Sequence, residues 1–310
     1  QNRRGALYRG PVLPTLAMRV LFREREVRQL KELLHHGKSV VLSGESGVGK
    51  NAIFWEFVSR TRRTVTTMDV RSLIMKSASR EQLTSLVDKF IDDAATRRTL
   101  LYVRHIELLK VVEDGGCTSL FSTLDEEPSR LLYSLCSRVG RGEVQCIATT
   151  TAYESMLGRV SAFFSRFQVL KVSQLSSDKA KMALCANEAA ITTMLMQKVD
   201  RDAIACAVKL SDKYFPRQQL PAKAIELLLD VCETEACCSV EAVVRRVAEV
   251  TSLETSDIYK DVTPAISRRA SAVAGSKLGA RLPALQIVTG CSGIASDVLM
   301  TLASPRPLLS

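Results

Sequence analysis

The first sixty residues alternate between two spacings of apolar side chains. Residues 24–36 place Val27, Leu30 and Leu33–Leu34 at helical spacing, and residues 38–44 form a short β-branched run typical of a buried strand. Residues 51–61 return to helical spacing, with their apolar side chains on one face. The pattern therefore predicts a helix, a strand and a second helix in succession.

The alternation continues over the next hundred residues. Apolar and β-branched runs predict further strands at 63–70, 99–106, 143–151 and 168–172, and an amphipathic pattern predicts a helix at 80–94. Strands that alternate with helices favour a parallel sheet covered on both faces. We therefore predict an α/β fold with a parallel sheet and flanking helices.

Beyond about residue 176 the strand pattern stops. Helical spacing recurs in four segments, 178–198, 201–214, 221–233 and 240–250, which predicts a small all-helical domain. From residue 263 onward Ser, Ala, Gly and Pro dominate. The predicted division is a basic segment at 1–19, a large α/β domain at 20–175, a helical domain at 176–262, and a linker with a remnant at 263–310.

The net charge of +10 lies mostly at the two ends of the 310-residue chain. Residues 1–19 hold four arginines and no acid, and residues 263–310 hold five basic residues against one acid. A nucleic-acid-binding protein would carry its excess on the folded core, so we do not expect nucleic acid as a partner. An acid-free, Arg-rich start is also typical of organellar transit peptides, so we predict a mitochondrial location, with the cytoplasm as the alternative.

Cysteine usage and hydropathy exclude two classes of protein. The nine cysteines are scattered without a CxxC pair, and only three histidines occur, so no zinc-site spacing is present. Cys146 and Cys206 lie in apolar runs, which predicts small core residues and reduced thiols. No run of eighteen uncharged apolar residues exists, so we expect no membrane span.

A glycine-rich loop, GESGVGK, stands between the first predicted strand and the helix that follows it. In such loops the glycines let backbone N–H groups turn toward phosphate oxygens, and the lysine reaches the β- and γ-phosphates. Asn51 stands where a Ser or Thr normally ligates Mg²⁺, and its carbonyl oxygen is predicted to hold the metal only weakly. The predicted nucleotide-binding residues are Gly44, Glu45, Ser46, Gly47, Val48, Gly49, Lys50 and Asn51.

Hydrolysis also needs acidic residues after a second strand, to hold Mg²⁺ and orient water. In this chain Arg104 and His105 occupy those positions. Arg104 is a candidate to pair with phosphate in place of the metal, and His105 is a candidate base. The interpretation we favour is that both are exposed strand-end residues without a catalytic role. Glu107 is acidic, but it lies two residues too late and is expected on the wrong side of the strand.

The order of these segments resembles the first AAA+ module of Clp-type ATPases, the ring-forming unfoldases and disaggregases. The resemblance covers about residues 20–262, and 210–228 is its most specific part, because this stretch resembles the hallmark of the small helical domain. It implies that Thr151 senses the γ-phosphate and that Arg166 is an arginine finger acting on a neighbouring subunit's nucleotide. Other stretches that carry the resemblance are 22–34, 44–60, 142–155 and 163–172.

Several positions depart from that family pattern. Ser165 stands where a first arginine finger is expected, and residues 75–82 lack the aromatic residue of a substrate-gripping pore loop. Residues 288–303 resemble the phosphate loop of a second module, with Ala295, Ser296 and Asp297 in place of its glycine, lysine and hydroxyl residue. This segment is therefore expected to be a remnant without nucleotide binding.

The resemblance and the departures together imply a Clp-like AAA+ protein that binds ATP or ADP and hydrolyses ATP poorly or not at all. Mg²⁺ binding is expected to be weakened. The expected role is that of a chaperone-related subunit, adaptor or scaffold among other AAA+ subunits or within a protein complex, with unfolded protein as a candidate substrate. Two alternatives stay open: an active ATP-dependent unfoldase, and a structural protein that no longer binds nucleotide.

Overall fold

The chain separates into two compact units. The computed structural model describes residues 18–111, 130–151, 166–216 and 218–262. One unit comprises the described residues from 22 to 173, and the other comprises 18–21 together with the described residues from 174 onward. Residues 1–17 of the basic segment and the segment at 288–303 lie outside the described residues.

The first unit alternates strands and helices along the chain. Its strands are β1 (Ser39–Ser43), β2 (Val65–Asp69), β3 (Leu100–Arg104), β4 (Cys146–Thr150) and β5 (Phe167–Lys171). Its helices in the described segments are α1 (Glu24–His35), α2 (Lys50–Thr61), α3 (Val70–Lys76), α4 (Arg80–Arg97), α5 (Leu108–Val111) and α6 (Arg130–Gly140).

The five strands form one parallel sheet in the order β2-β3-β4-β1-β5. In the centre of the sheet, Val41 of β1 lies opposite Ala148 of β4 on one side and Val169 of β5 on the other. The predicted α/β fold class is confirmed. Because every strand runs in the same direction, the residues that follow β1, β3 and β4 meet at one edge of the sheet.

The two faces of the sheet bury separate sets of side chains. On one face Leu42, Tyr102 and Ile147 pack with residues of α1 and α2. On the other face Val41, Val103 and Ala148 pack with residues of α4 and α6. The central strands β1, β3 and β4 are buried along their whole length, which explains why their sequences are continuous apolar runs rather than alternating ones.

The second unit is helical in its described residues. Its helices are α7 (Ser177–Ala186), α8 (Glu188–Leu195), α9 (Arg201–Tyr214), α10 (Ala222–Thr234), α11 (Val240–Thr251) and α12 (Thr255–Asp261). The buried side chains include Ile204, Leu228, Val243 and Val247, which are all fully enclosed. Arg246 of α11 forms two hydrogen bonds with the carboxylate of Asp230 on α10, at 2.6 and 2.8 Å.

Asn187 divides the segment that the sequence pattern treats as one helix. It lies between α7 and α8, and its side-chain amide is buried. The amide accepts a hydrogen bond from the backbone N–H of Arg19 at 2.6 Å and donates to the Arg19 carbonyl at 3.0 Å. A third bond, at 2.7 Å, goes to the Ala183 carbonyl. Asn187 thereby attaches residues 18–21 to the helical unit.

The burial of two cysteines confirms one part of the sequence analysis. Cys146 and Cys206 are buried, as predicted, and the seven cysteines within the described segments are free thiols. In the parts of the chain that the structure describes, no helix has the length and apolar character needed to cross a bilayer.

Two valines on α11 provide a test of the core of the helical unit. Val247 is fully buried, whereas Val250 is 40% exposed on the same helix. We predict that Val247→Ala lowers the free energy of unfolding by about 2 kcal/mol, because it removes buried methyl groups and leaves a cavity. Val250→Ala should change it by less than about 0.5 kcal/mol. Urea unfolding followed by circular dichroism measures both, and equal losses would contradict this packing.

Candidate nucleotide-binding site

The glycine-rich loop has the backbone geometry of a phosphate cradle. It connects β1 to α2 at the edge where the carboxyl ends of the strands meet. Gly47 and Gly49 have φ angles of +89° and +95°, in the left-handed region that side-chain-bearing residues rarely adopt. Gly49 is also the residue immediately before α2, so the positive end of that helix adjoins the loop.

Gly44 is required for a different reason. Its backbone is not in the left-handed region, but the carbonyl oxygen of Val172 approaches it closely. A Cβ atom at this position would lie 2.3 Å from that oxygen and 3.1 Å from Cγ2 of Val48. The close approach fixes the start of the loop against the residue that follows β5.

Lys50, the first residue of α2, directs its ammonium group back into the loop. Its Nζ donates to the carbonyl oxygens of Gly44 at 2.5 Å and Glu45 at 2.8 Å. Burial lowers the pKa of Lys50 to about 8, although the nearby charges of Glu107 and Glu45 act in the opposite direction. A phosphate oxygen in the loop would offer this buried cation an anionic partner in exchange for neutral carbonyls.

Asn51 is held by an aromatic residue from the sheet. The hydroxyl of Tyr102, on β3, donates to Oδ1 of Asn51 at 2.7 Å. Tyr102 is fully buried, and its ring stacks on that of Phe54 with 3.5 Å between centroids and 5° between planes. Burial also raises the pKa of Tyr102, which keeps its hydroxyl protonated and able to donate. The carbonyl oxygen predicted to ligate Mg²⁺ thus already accepts one hydrogen bond.

Arg104 corrects an expectation from the sequence, because it is buried rather than exposed. Only 4% of the residue is accessible, and its Nη1 lies 2.8 Å from Oδ2 of Asp69 on the neighbouring strand β2. Asp69 also accepts from the backbone N–H of Ser72 and so begins α3. The cation that replaces an acidic residue has its own carboxylate partner, which the sequence did not reveal.

His105 is also less exposed than expected, with 26% of its side chain accessible. Its φ of +58° places it in the left-handed region, and its backbone N–H donates to Oγ1 of Thr149 at 3.4 Å. The left-handed residue turns the chain directly after β3. Its Nδ1 lies 3.6 Å from Oε1 of Glu107.

Glu107 contradicts the expectation that it lies on the wrong side of the strand. Thr151, which follows β4, donates from Oγ1 to Oε1 of Glu107 at 3.2 Å. Burial acts to raise the pKa of Glu107, but hydrogen bonds to His105 and Thr150 and the charge of His105 outweigh it, so the pKa is lowered. An ionised carboxylate therefore lies beside the residue predicted to sense the γ-phosphate.

Known proteins of one kind are similar to large parts of this chain. Residues 191–263 match the AAA lid domain family. The chain is 28% identical over 224 residues to ClpC/MecB, a negative regulator of genetic competence from Bacillus subtilis, which covers 67% of this chain and 26% of that protein. It is 25% identical over 231 residues to the AAA+ ATPase ClpV1 of Pseudomonas aeruginosa, covering 70% of this chain and 25% of the relative.

The chain belongs to the Clp-type AAA+ family. Solved structures show the same fold: Hsp104 with ATPγS and FITC-casein superposes with a TM-score of 0.60 at 19% identity, over 76% of this chain and 43% of that one. The Hsp104–ADP complex of Saccharomyces cerevisiae gives a TM-score of 0.57 over 83% of this chain and 39% of that one. The chain spans about a quarter of the length of the curated relatives it matches.

The residues present in this Clp-type module fit a nucleotide's phosphates better than they fit Mg²⁺. The loop glycines, the start of α2 and Lys50 supply the groups that bind phosphate. A metal ion would share Oδ1 of Asn51 with the Tyr102 hydroxyl, and the position of the metal-binding acid holds the buried cation Arg104. Within the described segments, no three His, Cys, Asp or Glu side chains are grouped so as to hold a metal.

Arg166, the predicted arginine finger, lies immediately before β5 and is exposed. Its guanidinium rests against Gly140 at the end of α6, with Nη1 3.0 Å from where a Cβ atom would be. Ser165 lies outside the described residues. Action on a neighbouring subunit stays a prediction for Arg166.

The Arg104–Asp69 pair gives a testable prediction about stability. Asp69→Asn keeps the size of the side chain but removes the charge opposite a buried guanidinium. We predict a loss of about 2–4 kcal/mol in the free energy of unfolding, below the upper range for buried pairs because Asp69 is partly accessible. Asp92→Asn removes a carboxylate that lies 2.6 Å from Arg138 and is 56% exposed. This control should cost less than about 1 kcal/mol. Urea unfolding compares the two variants, and a smaller loss for Asp69→Asn would count against the pairing.

Proposed function

We propose that this Clp-type module binds ATP or ADP and hydrolyses ATP poorly or not at all. The proposal rests on a contrast between the phosphate-binding loop and the metal-binding position. The phosphate cradle keeps its glycine geometry and its lysine, whereas the position of the metal-binding acid holds Arg104, paired with Asp69. The module would then serve as a binding subunit, adaptor or scaffold related to the Clp chaperones.

The geometry of the glycine-rich loop supports the proposed nucleotide binding. Gly47 and Gly49 adopt the φ angles that turn backbone N–H groups inward, and Lys50 is already directed at the loop interior. Relatives of the same fold have been solved with nucleotides, as Hsp104 with ATPγS and Hsp104 with ADP. A phosphate in this cradle would replace the two carbonyl contacts of Lys50 by a charge-assisted one.

The loss of hydrolysis rests on the neighbouring side chains. Phosphoryl transfer is catalysed mainly by positioned charge, and Mg²⁺ supplies much of it. In this chain Asn51 is held by Tyr102, and a guanidinium lies where a metal-binding carboxylate is needed. Both features weaken the binding of Mg²⁺, because the amide oxygen is shared with the Tyr102 hydroxyl and the guanidinium repels the metal ion.

The proposed partners are other AAA+ subunits or a protein complex that uses the module as a scaffold, with unfolded protein as a candidate substrate. Nucleotide binding would stabilise whichever arrangement of the module binds it more tightly. The exposed Arg166 is the residue we propose to contact a neighbouring subunit. The proposed location is mitochondrial, on the basis of the arginine-rich segment at 1–19, with the cytoplasm as the alternative.

Equilibrium titration with ADP tests the binding half. We predict that Lys50→Ala weakens ADP binding by about ten- to a hundredfold, because the variant loses a hydrogen bond from a charged donor. Lys38→Ala removes an exposed lysine just before β1 and should leave the affinity unchanged. The absence of ADP and ATP binding to the unmodified chain would favour the alternative of a structural protein.

Phosphate release from ATP tests the catalytic half. Alone, the unmodified chain is expected to release phosphate at the same background rate as Lys50→Ala. Mixed with an active Clp-type subunit, neither chain should add to the phosphate release of that subunit. Robust turnover that disappears in Lys50→Ala would favour the alternative of an active unfoldase.

The lowered pKa of Lys50 predicts a pH dependence of binding. Unliganded Lys50 loses its proton at about pH 8, whereas bound phosphate would hold that proton to a higher pH. Binding therefore takes up a proton above about pH 8, and ADP affinity should fall by about fivefold between pH 8 and pH 9. Lys50→Arg stays charged in this range, so its affinity should be independent of pH. A pH-independent affinity of the unmodified chain would contradict the assignment.

A further inference from the structure

The carboxylate of Glu107 lies among the groups expected to contact the terminal phosphate of ATP. Thr151 donates to its Oε1 at 3.2 Å, and the imidazole Nδ1 of His105 lies 3.6 Å from the same oxygen. Lys50 is close enough to Glu107 for the carboxylate to influence its charge. The lysine and the threonine that a γ-phosphate would use thus already interact with an internal anion.

The second carboxylate oxygen of Glu107 also fits the description of this side chain as an internal anion. Oε2 of Glu107 is buried and has no hydrogen-bond partner among the described residues. A buried oxygen of an ionised carboxylate without a donor is costly, and no hydrogen bond disperses the negative charge at Oε2. The side chain as a whole is only 15% exposed, so solvent screens that charge weakly.

We propose that Glu107 acts as an internal substitute for the γ-phosphate and makes the site selective for a nucleoside diphosphate over a triphosphate. This inference rests on the proposed nucleotide binding. The β-phosphate of ADP can occupy the cradle beside Lys50 without displacing Glu107. The γ-phosphate of ATP would add negative charge next to that carboxylate and compete with it for Thr151.

The pairing of Arg104 makes this selectivity stronger. In a site with a bound divalent cation, the metal offsets the charge of a third phosphate. Here the nearest replacement cation, Arg104, already faces the carboxylate of Asp69. The repulsion between Glu107 and a γ-phosphate therefore lacks the usual compensation.

Titration of the full chain with ADP and with a non-hydrolysable ATP analogue, in EDTA, tests the inference. We expect the unmodified chain to bind ADP at least about tenfold more tightly than the analogue. Glu107→Gln keeps the shape of the side chain and the acceptor for Thr151 but removes the charge. It should tighten binding of the analogue by about tenfold or more and change ADP affinity by less than about threefold.

Glu143→Gln is the matched control. Glu143 precedes β4, and 39% of its side chain is exposed. The substitution makes the same change in net charge outside the loop and outside the carboxylate that binds Thr151, so the ratio of ADP to analogue affinity should stay as in the unmodified chain.

The outcomes separate this inference from the proposed function. Failure of both nucleotides to bind the unmodified chain would overturn the proposed function and the inference with it. Equal affinity of the unmodified chain for ADP and for the analogue would overturn the selectivity but not the proposed function. This measurement does not depend on whether any variant folds. A ratio that Glu107→Gln leaves unchanged would assign the selectivity to another group and reject the role of Glu107.

Discussion

The interpretation of this site depends on a pair of internal contacts at the edge of the sheet. The Tyr102 hydroxyl donates to Asn51, and the Asp69 carboxylate pairs with Arg104. Both contacts satisfy polar groups at positions where a hydrolytic AAA+ site would hold a metal ion. Leaving either group unpaired in the interior would be costly, so each replaced residue has acquired a partner within the protein.

The parallel sheet explains why so many replaced positions meet in one place. The residues after β1, β3 and β4 share one edge, which brings Lys50, Glu107 and Thr151 together although they are distant in sequence. The same geometry allows a carboxylate two residues beyond its usual position to reach the site, because left-handed His105 turns the chain directly after β3. A changed residue at this edge therefore affects both phosphate and metal chemistry.

Much of the fold was predictable from the sequence, because it follows from local patterns. The apolar runs indicated all five strands, and the loop between a strand and a helix indicated the phosphate cradle. The helices α3, α5, α6 and α12 were not predicted. The start of α3 depends on the Asp69 cap, a contact of one side chain with one backbone N–H group. The break at Asn187 was also missed, since it depends on a tertiary contact with Arg19.

The candidate site was predictable only in part. The glycines and Lys50 follow from a motif, but the partners of Arg104 and Asn51 lie on other strands and have no signal at fixed spacing. Arg104 was expected to be exposed because charged residues at strand ends usually are, and Asp69 reverses that expectation by pairing across the sheet. Glu107 was dismissed on linear position alone, which takes no account of the turn at His105.

The central claim, that internal contacts have replaced the magnesium site while the phosphate cradle persists, has one direct test. The dissociation constant for ADP is measured with the full chain in excess EDTA and in excess Mg²⁺. The account predicts two values that agree within about threefold, since the cradle binds phosphate without a metal. An affinity that strengthens by about tenfold or more with Mg²⁺ would contradict it, because the metal would then have ligands in this site.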